Sequence, residues 1–273
     1  MPLIGFYCPD QQKVAKSICY QKCRLGERCH SLRFLVQAGG NRKWTGKPST
    51  TQLISPTRVE YLKIMNDYYV YPADRAYSVL GVRGHAQLDH VAKSRHEIIS
   101  EYQLDGDETG ILDTLEPDCQ QEGYWILIDN KTWGSFSVAK ALQYGEIWEA
   151  TMQLNNYRIK AESDDKLEKI YGSPIKVSKM FVEAIIRDGG TKSAYMNKID
   201  TKTRKIPIER LDDDKVKSFF QQKGNALLSA LADKTLPKVC TPNENWNWKR
   251  CSKACEVWMF CPEGLKINSR KKY

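Results

Sequence analysis

One cysteine spacing, used twice, constrains this chain more than any other feature. Cys8, Cys19, Cys23 and Cys29 follow C-x10-C-x3-C-x5-C, and Cys240, Cys251, Cys255 and Cys261 repeat the same three intervals near the other end of the 273 residues. The intervening residues ("PDQQKVAKSI" against "TPNENWNWKR") hardly match, so the shared constraint lies on the sulfurs. Four thiolates in a segment too short to have its own apolar core suit an all-cysteine zinc site, where metal binding supplies folding energy. A [4Fe–4S] cluster also takes four thiolates. Disulfides belong to oxidising compartments. The start "MPLIGFYCPDQQK" lacks the basic-then-apolar order of a secretory leader, so paired cystines are not expected. Cys119 belongs to neither set and is expected as a core thiol.

The composition, 41% hydrophobic and 27% charged, is that of a water-soluble globular chain. No apolar run is long enough to cross a bilayer, so no membrane partner is expected. A cytoplasmic protein encoded by a bacterium or a phage fits, with a host nucleus as the other setting. The net charge of +9 is concentrated at the ends, with nine Lys/Arg against two acids over 1–48 and eight against three over 238–273. The middle is slightly acidic. Basic ends on a near-neutral body point to a polyanionic partner. Lys22, Arg24 and Arg28 in the first module and Lys249, Arg250 and Lys253 in the second are the candidate phosphate contacts. The tryptophans beside them fit either base stacking or a small module core.

Three segments follow: a basic four-cysteine module and linker over 1–48, a central domain over 49–235 and a second cysteine module over 236–273. The linker "AGGNRKWTGKPST" resembles a phosphate-binding loop but has Asn41 and Pro48 at required positions, so nucleotide hydrolysis is not supported. In the central domain, helical spacing begins at Ser55-Pro56-Thr57 and resumes after Pro72 in a segment containing His85. Strand-like runs follow in "IISEYQL", "GILDTLEPD" and "YWILIDNKTW", with the second ending near Asp113 and the third at Asp129. A helix is expected from Ser135 to about Lys160. An antiparallel pair turning at Gly189-Gly190 and a helix over 212–232 complete the domain. The succession predicts a mixed α/β fold.

Asp113 and Asp129, on successive strands, are a carboxylate pair able to share Mg²⁺ or Mn²⁺. Lys131 lies two residues beyond Asp129 and so on the same strand face. There it can orient water or offset developing negative charge. His85, Gln153 and Tyr157 flank these residues in sequence. Each has an ordinary structural reading on its own: a helix histidine, a turn acid, a surface ion pair, a helix face. The order is what makes the chemical reading stronger.

That order is His85, Gly110-Ile111-Leu112-Asp113, Asp129-x-Lys131 and Gln153-x-x-x-Tyr157. It resembles the RecB-like, phage-exonuclease branch of the PD-(D/E)XK nucleases over roughly residues 55–235. The resemblance implies a restriction-endonuclease-like core, a mixed central sheet flanked by helices. It makes His85, Asp113, Asp129 and the Asn130 backbone carbonyl metal ligands and Lys131 the catalytic lysine. It puts Gln153 and Tyr157 in support of the site or the DNA. The implied activity is Mg²⁺- or Mn²⁺-dependent hydrolysis of DNA in recombination, repair or processing, exonuclease-like in character. RNA is a less favoured substrate, and a recombination or replication protein or a second copy is a possible partner. A non-catalytic DNA-binding accessory protein on the same fold is the alternative. Iron–sulfur members place one cysteine ahead of the histidine and three after the domain. Here Tyr71-Pro72 stands where a Cys-Pro would be expected, and each end has its own four cysteines. Two zinc sites are therefore favoured over one [4Fe–4S] cluster.

Overall fold

The computed structural model of the protein describes residues 3–40, 43–95 and 97–269. The chain forms two compact units, each assembled from separated stretches. One holds the described residues of 1–48, 55–79 and 221–273, and the other those of 49–54 and 80–220. The units therefore do not follow three consecutive segments: both cysteine-bearing ends fall in one unit, together with residues 55–79. No helix among the described residues is long and apolar enough to cross a membrane.

In the first unit, "LIGFY" forms the central strand of a small sheet. Strand β1 (Leu3–Tyr7) pairs antiparallel with β2 (Lys13–Ala15) and parallel with β3 (Tyr68–Val70). These short strands have too few alternations for a period-two pattern to stand out in sequence. The helix Thr57–Met65 starts where Ser55-Pro56-Thr57 predicts. It buries Arg58, which donates to the carbonyls of Pro237 (2.7 Å) and Lys238 (3.1 Å) and pairs with Glu263. Tyr7 Oη reaches Met259 Sδ at 3.5 Å. The two ends of the chain thus pack within one body.

The second unit is built on a five-stranded sheet in sequence order. Its strands are β4 (Ile99–Leu104), β5 (Gly110–Pro117), β6 (Trp125–Trp133), β7 (Val177–Ile186) and β8 (Thr203–Ile208). All neighbours are antiparallel except β6 and β7, which are parallel. A parallel pair needs a crossover, and the helices Ser135–Tyr144, Trp148–Glu162 and Asp165–Tyr171 supply it. Leu112, Leu115, Leu127, Val182 and Ala184 of the sheet share one core with Val138 and Leu154 of the helices. The α/β architecture with a mixed sheet flanked by helices is as expected.

Several boundaries differ. Asp113 and Asp129 lie inside their strands, because β5 continues to Pro117 and β6 to Trp133. The expected helix from Ser135 is two helices, the first capped by Gly145 in the left-handed region (φ 64°). The β7–β8 connection is no tight turn at Gly189-Gly190, since the short helix Lys192–Met196 intervenes. Cys119 is exposed, next to the buried Asp118, rather than a core thiol.

Candidate active site

Strands β5 and β6 pair from Pro117↔Trp125 to Thr114↔Ile128, and there the ladder ends. Beyond that point β5 is bonded only to β4, while β6 continues along β7 to Trp133↔Ile186. Carried one step further, the same register sets Asp113 opposite Asp129, at the mouth of the fork. The backbone N–H of Asn130 donates to Asp113 Oδ2 at 2.9 Å. A residue in an extended strand points its N–H and C=O to the same side, so the Asn130 carbonyl also faces the fork.

The electrostatics of the fork are unbalanced. Burial, and next the adjacent Asp129 carboxylate, push the Asp113 carboxyl well above the usual carboxylate range. Asp129 is 1% exposed. Its Oδ1 accepts from Lys131 Nζ at 2.7 Å and from Gln153 Nε2 at 3.5 Å. Its Oδ2 is buried with no hydrogen-bond partner. An unsatisfied buried acceptor costs about 1–3 kcal/mol, and a cation in the fork would remove that cost. Burial works against the Lys131 ammonium, but Asp129 and Asp113 outweigh it and hold its pKa above the usual lysine range. Lys131 therefore stays charged, positioned by the acid two residues before it.

His85 and a residue overlooked in the sequence complete the cluster. The helix Ala76–Ala92 brings His85 Nδ1 to 3.5 Å from Asp113 Oδ2 and 3.4 Å from Glu101 Oε1. One ligand atom each from His85, Glu101 and Asp113 all lie within 4.8 Å of one another, a spacing that can hold a metal ion. Glu101 sits in β4, in register with Asp113 between the pairs Ser100↔Thr114 and Tyr102↔Leu112. Its backbone is left-handed, at φ 48°. For a non-glycine residue this costs on the order of 1–3 kcal/mol, and such strain concentrates at functional sites. No short motif marks Glu101. The one signal available was an acid in "IISEYQL", the strand-like run before the Asp113 strand.

The helix Trp148–Glu162 supports the fork from the side. Gln153 Nε2 lies 3.5 Å from both Asp129 Oδ1 and Tyr157 Oη, as the i, i+4 spacing allows. Burial, then Asp129 and Asp113, raise the Tyr157 hydroxyl pKa, so it remains protonated. Gly110 explains the glycine of Gly-x-x-Asp. A Cβ there would lie 2.6 Å from Tyr157 Cε1 and 3.2 Å from Thr50 Oγ1. The helix and β5 meet too closely for any side chain.

The other predicted residues lie outside this cluster. All nine cysteines are free thiols. Cys240, Cys251, Cys255 and Cys261 line one small cavity together with Arg58 and Arg250. Among the described residues no three cysteine sulfurs come within 4.8 Å of one another. Burial, then Glu244 and the other three cysteines, push the Cys240 thiol up to about 11. Cys19 is likewise raised by burial and by Cys29, Cys8 and Cys23. Of the basic candidates, Arg24 is paired with Asp10, and Arg28 donates to the Tyr20 and Gln21 carbonyls. Arg250 donates to the Glu244 carbonyl at 3.2 Å. Lys22, Lys249 and Lys253 are exposed and have no acidic partner among the described residues.

No family profile and no curated protein matches the chain. Among solved structures it aligns with the crystal structure of SSO0001 at 17% identity and a TM-score of 0.43. The alignment covers 84% of this chain and 93% of that one.

Proposed function

We propose that the chain is a divalent-metal-dependent deoxyribonuclease of the PD-(D/E)XK type, exonuclease-like, acting in DNA processing, recombination or repair. The observation that carries this reading is the fork itself. Two buried carboxylates face each other with one oxygen unpartnered, a lysine held on one acid, and a histidine and a third acid, Glu101, beside the other. This donor set, oxygen-rich with one imidazole, fits Mg²⁺ or Mn²⁺. Asp113, Asp129, His85 and the Asn130 carbonyl would hold the ion, with Glu101 added to the set expected from sequence. When bound, the ion supplies positive charge to a phosphodiester oxygen and acidifies a water. Lys131 holds its ammonium at the edge of the fork, where it orients that water and offsets charge gathering on the phosphate. Gln153 fixes Asp129 and, through Tyr157, the packing of the helix on β5.

The test is incubation with linear, circular and single-stranded DNA, and with RNA, in Mg²⁺, Mn²⁺ or EDTA. Loss of linear DNA that EDTA abolishes is expected. K131A should lower cleavage by at least about a hundredfold, in line with loss of a transition-state charge stabiliser, while DNA binding in EDTA is kept. Full activity in K131A would refute the mechanism.

We further propose that the C-terminal cysteine cavity holds a metal group, zinc or one [4Fe–4S] cluster, with a second group in the N-terminal set. Burial holds the thiols of Cys240, Cys251 and Cys255 above the usual cysteine range, and a bound cation would replace their protons. Arg58 and Arg250 line the cavity and would offset the negative charge of four thiolates. Metal analysis and a visible spectrum of the purified protein distinguish colourless zinc from a brown cluster.

A further inference from the structure

We propose that the loop carrying Trp246 and Trp248, with the following helix Lys249–Lys253, is a stacking platform for single-stranded DNA. That the strand is DNA rests on the nuclease reading; the platform itself rests on three independent observations.

The first is strain. Trp246, Asn247 and Trp248 have φ values of 52°, 50° and 72°, three consecutive non-glycine residues in the left-handed region. Each costs roughly 1–2 kcal/mol, and such residues normally occur singly. The surrounding structure holds the conformation. Asn245, 2% exposed, accepts from the Trp248 N–H at 2.8 Å and donates to the Cys240 carbonyl at 3.0 Å. The Asn247 N–H donates to the Pro242 carbonyl at 2.9 Å, and the Arg250 guanidinium lies 5.2 Å from the Trp246 ring centre. The loop is a built pedestal.

The second is exposure. Trp246 is 48% and Trp248 47% exposed, while Val257 is fully buried and Cys261 is 8% exposed. The structure therefore resolves the choice left open by the sequence: these two indoles are not the module's core. Strain that ends by presenting apolar rings to water calls for something to cover them.

The third is charge. The three acids of this segment are each neutralised by a cation from outside it. Glu244 pairs with Lys223 (3.1 Å), Glu256 with Lys63 (3.1 Å) and Arg75 (2.8 Å), and Glu263 with Arg58. Lys249 and Lys253 have no acidic partner among the described residues. A face of unpaired ammonium groups beside exposed indoles suits a ligand carrying both phosphates and accessible ring faces. Single strands offer both, whereas a duplex hides its base faces in the stack.

The test is binding of fluorescein-labelled oligo(dT), a duplex of the same length and oligo(U), read by anisotropy in EDTA with no cleavage required. Stacking is worth about 1–3 kcal/mol per base, roughly five- to 150-fold in affinity. The double variant W246A/W248A should weaken oligo(dT) binding at least about tenfold and leave duplex binding within about twofold. The double variant W246F/W248F should restore most of the loss, which excludes collapse of the loop as its cause. K249A and K253A should each flatten the salt dependence of log K by about 0.7, the slope expected for one phosphate no longer neutralised on a single strand. Unchanged oligo(dT) affinity in W246A/W248A, or an equal loss for duplex, would overturn the platform. Tighter binding of oligo(U) than oligo(dT) would overturn the assignment to DNA. Because nothing is cut in these measurements, an inactive fork and a failed platform give different results.

Discussion

At the scale of single residues, the fork concentrates costs that a merely structural sheet would avoid. Asp129 Oδ2 lacks a partner, the Asp113 carboxyl is held in its neutral range, and Glu101 sits in a left-handed backbone conformation. Each is explained if a cation belongs among them, since it would satisfy the oxygen and relieve the repulsion of the carboxylates. Glu101 gives a sharp test. Glycine inside a strand normally costs about 0.5–1 kcal/mol. At φ 48° that cost is offset by relief of strain, so E101G should melt at or above the wild-type temperature. The same variant should bind Mn²⁺ more weakly in calorimetric titration. A clear drop in melting temperature would show that Glu101 supports the fold rather than the ion. Asp113→Asn should likewise lose Mn²⁺ affinity while raising apo stability at pH 7, because it removes an acid that burial and then Asp129 force to take up a proton on folding.

At the scale of elements, one contact lies beside the fork and another at the closed end of the β5–β6 hairpin. Gly110 lets β5 lie against the Tyr157 ring, and a methyl group there would press to 2.6 Å from Cε1. G110A should cost about 1–3 kcal/mol through overpacking and reduce cleavage with it, read by denaturant melts and by DNA turnover. The second contact is Asp118, in the connection between β5 and β6. It accepts from Ser178 Oγ (2.6 Å), the Gln120 N–H (2.9 Å) and Lys179 Nζ (3.1 Å), which ties that connection to β7. Those bonds, that of Ser178 first, hold its carboxyl down at about 2, below the ordinary value of about 3.9. Its contribution is therefore present above pH about 4 and lost as the pH falls through about 2. D118N should lower the melting temperature at pH 7 and make little difference near pH 2. An equal drop at both would assign the effect to the hydrogen-bond shape rather than to the charge.

At the scale of the whole molecule, the chain assembles each unit from pieces distant in sequence. All the fork residues fall within residues 80–220, and both cysteine sets fall in the other unit. If the cysteines hold metal, a strong chelator should act unevenly. Limited proteolysis after metal removal should degrade the cysteine-bearing unit first and leave a resistant product containing the β4–β8 sheet. Simultaneous degradation of both would indicate that the cysteine metal does not stabilise its unit separately.

By itself the sequence determined which chemistry was present and much of its placement. Period-two geometry puts Asp129 and Lys131 on one strand face, and i, i+4 spacing puts Gln153 beside Tyr157. The helical pattern around His85 and the strand patterns around Asp113 and Asp129 are equally local. Such features depend only on backbone repeats, so they can be read along the chain. The tertiary structure alone decided that β5 and β6 part at Asp113 and Asp129, and that both strands run on past these acids. It alone brought Glu101 against Asp113 through a strained backbone angle, and gathered residues 55–79 with both termini into one body. It also turned Trp246 and Trp248 outward. Register, strand divergence and left-handed strain arise from contacts between segments far apart in sequence, where no local period records them.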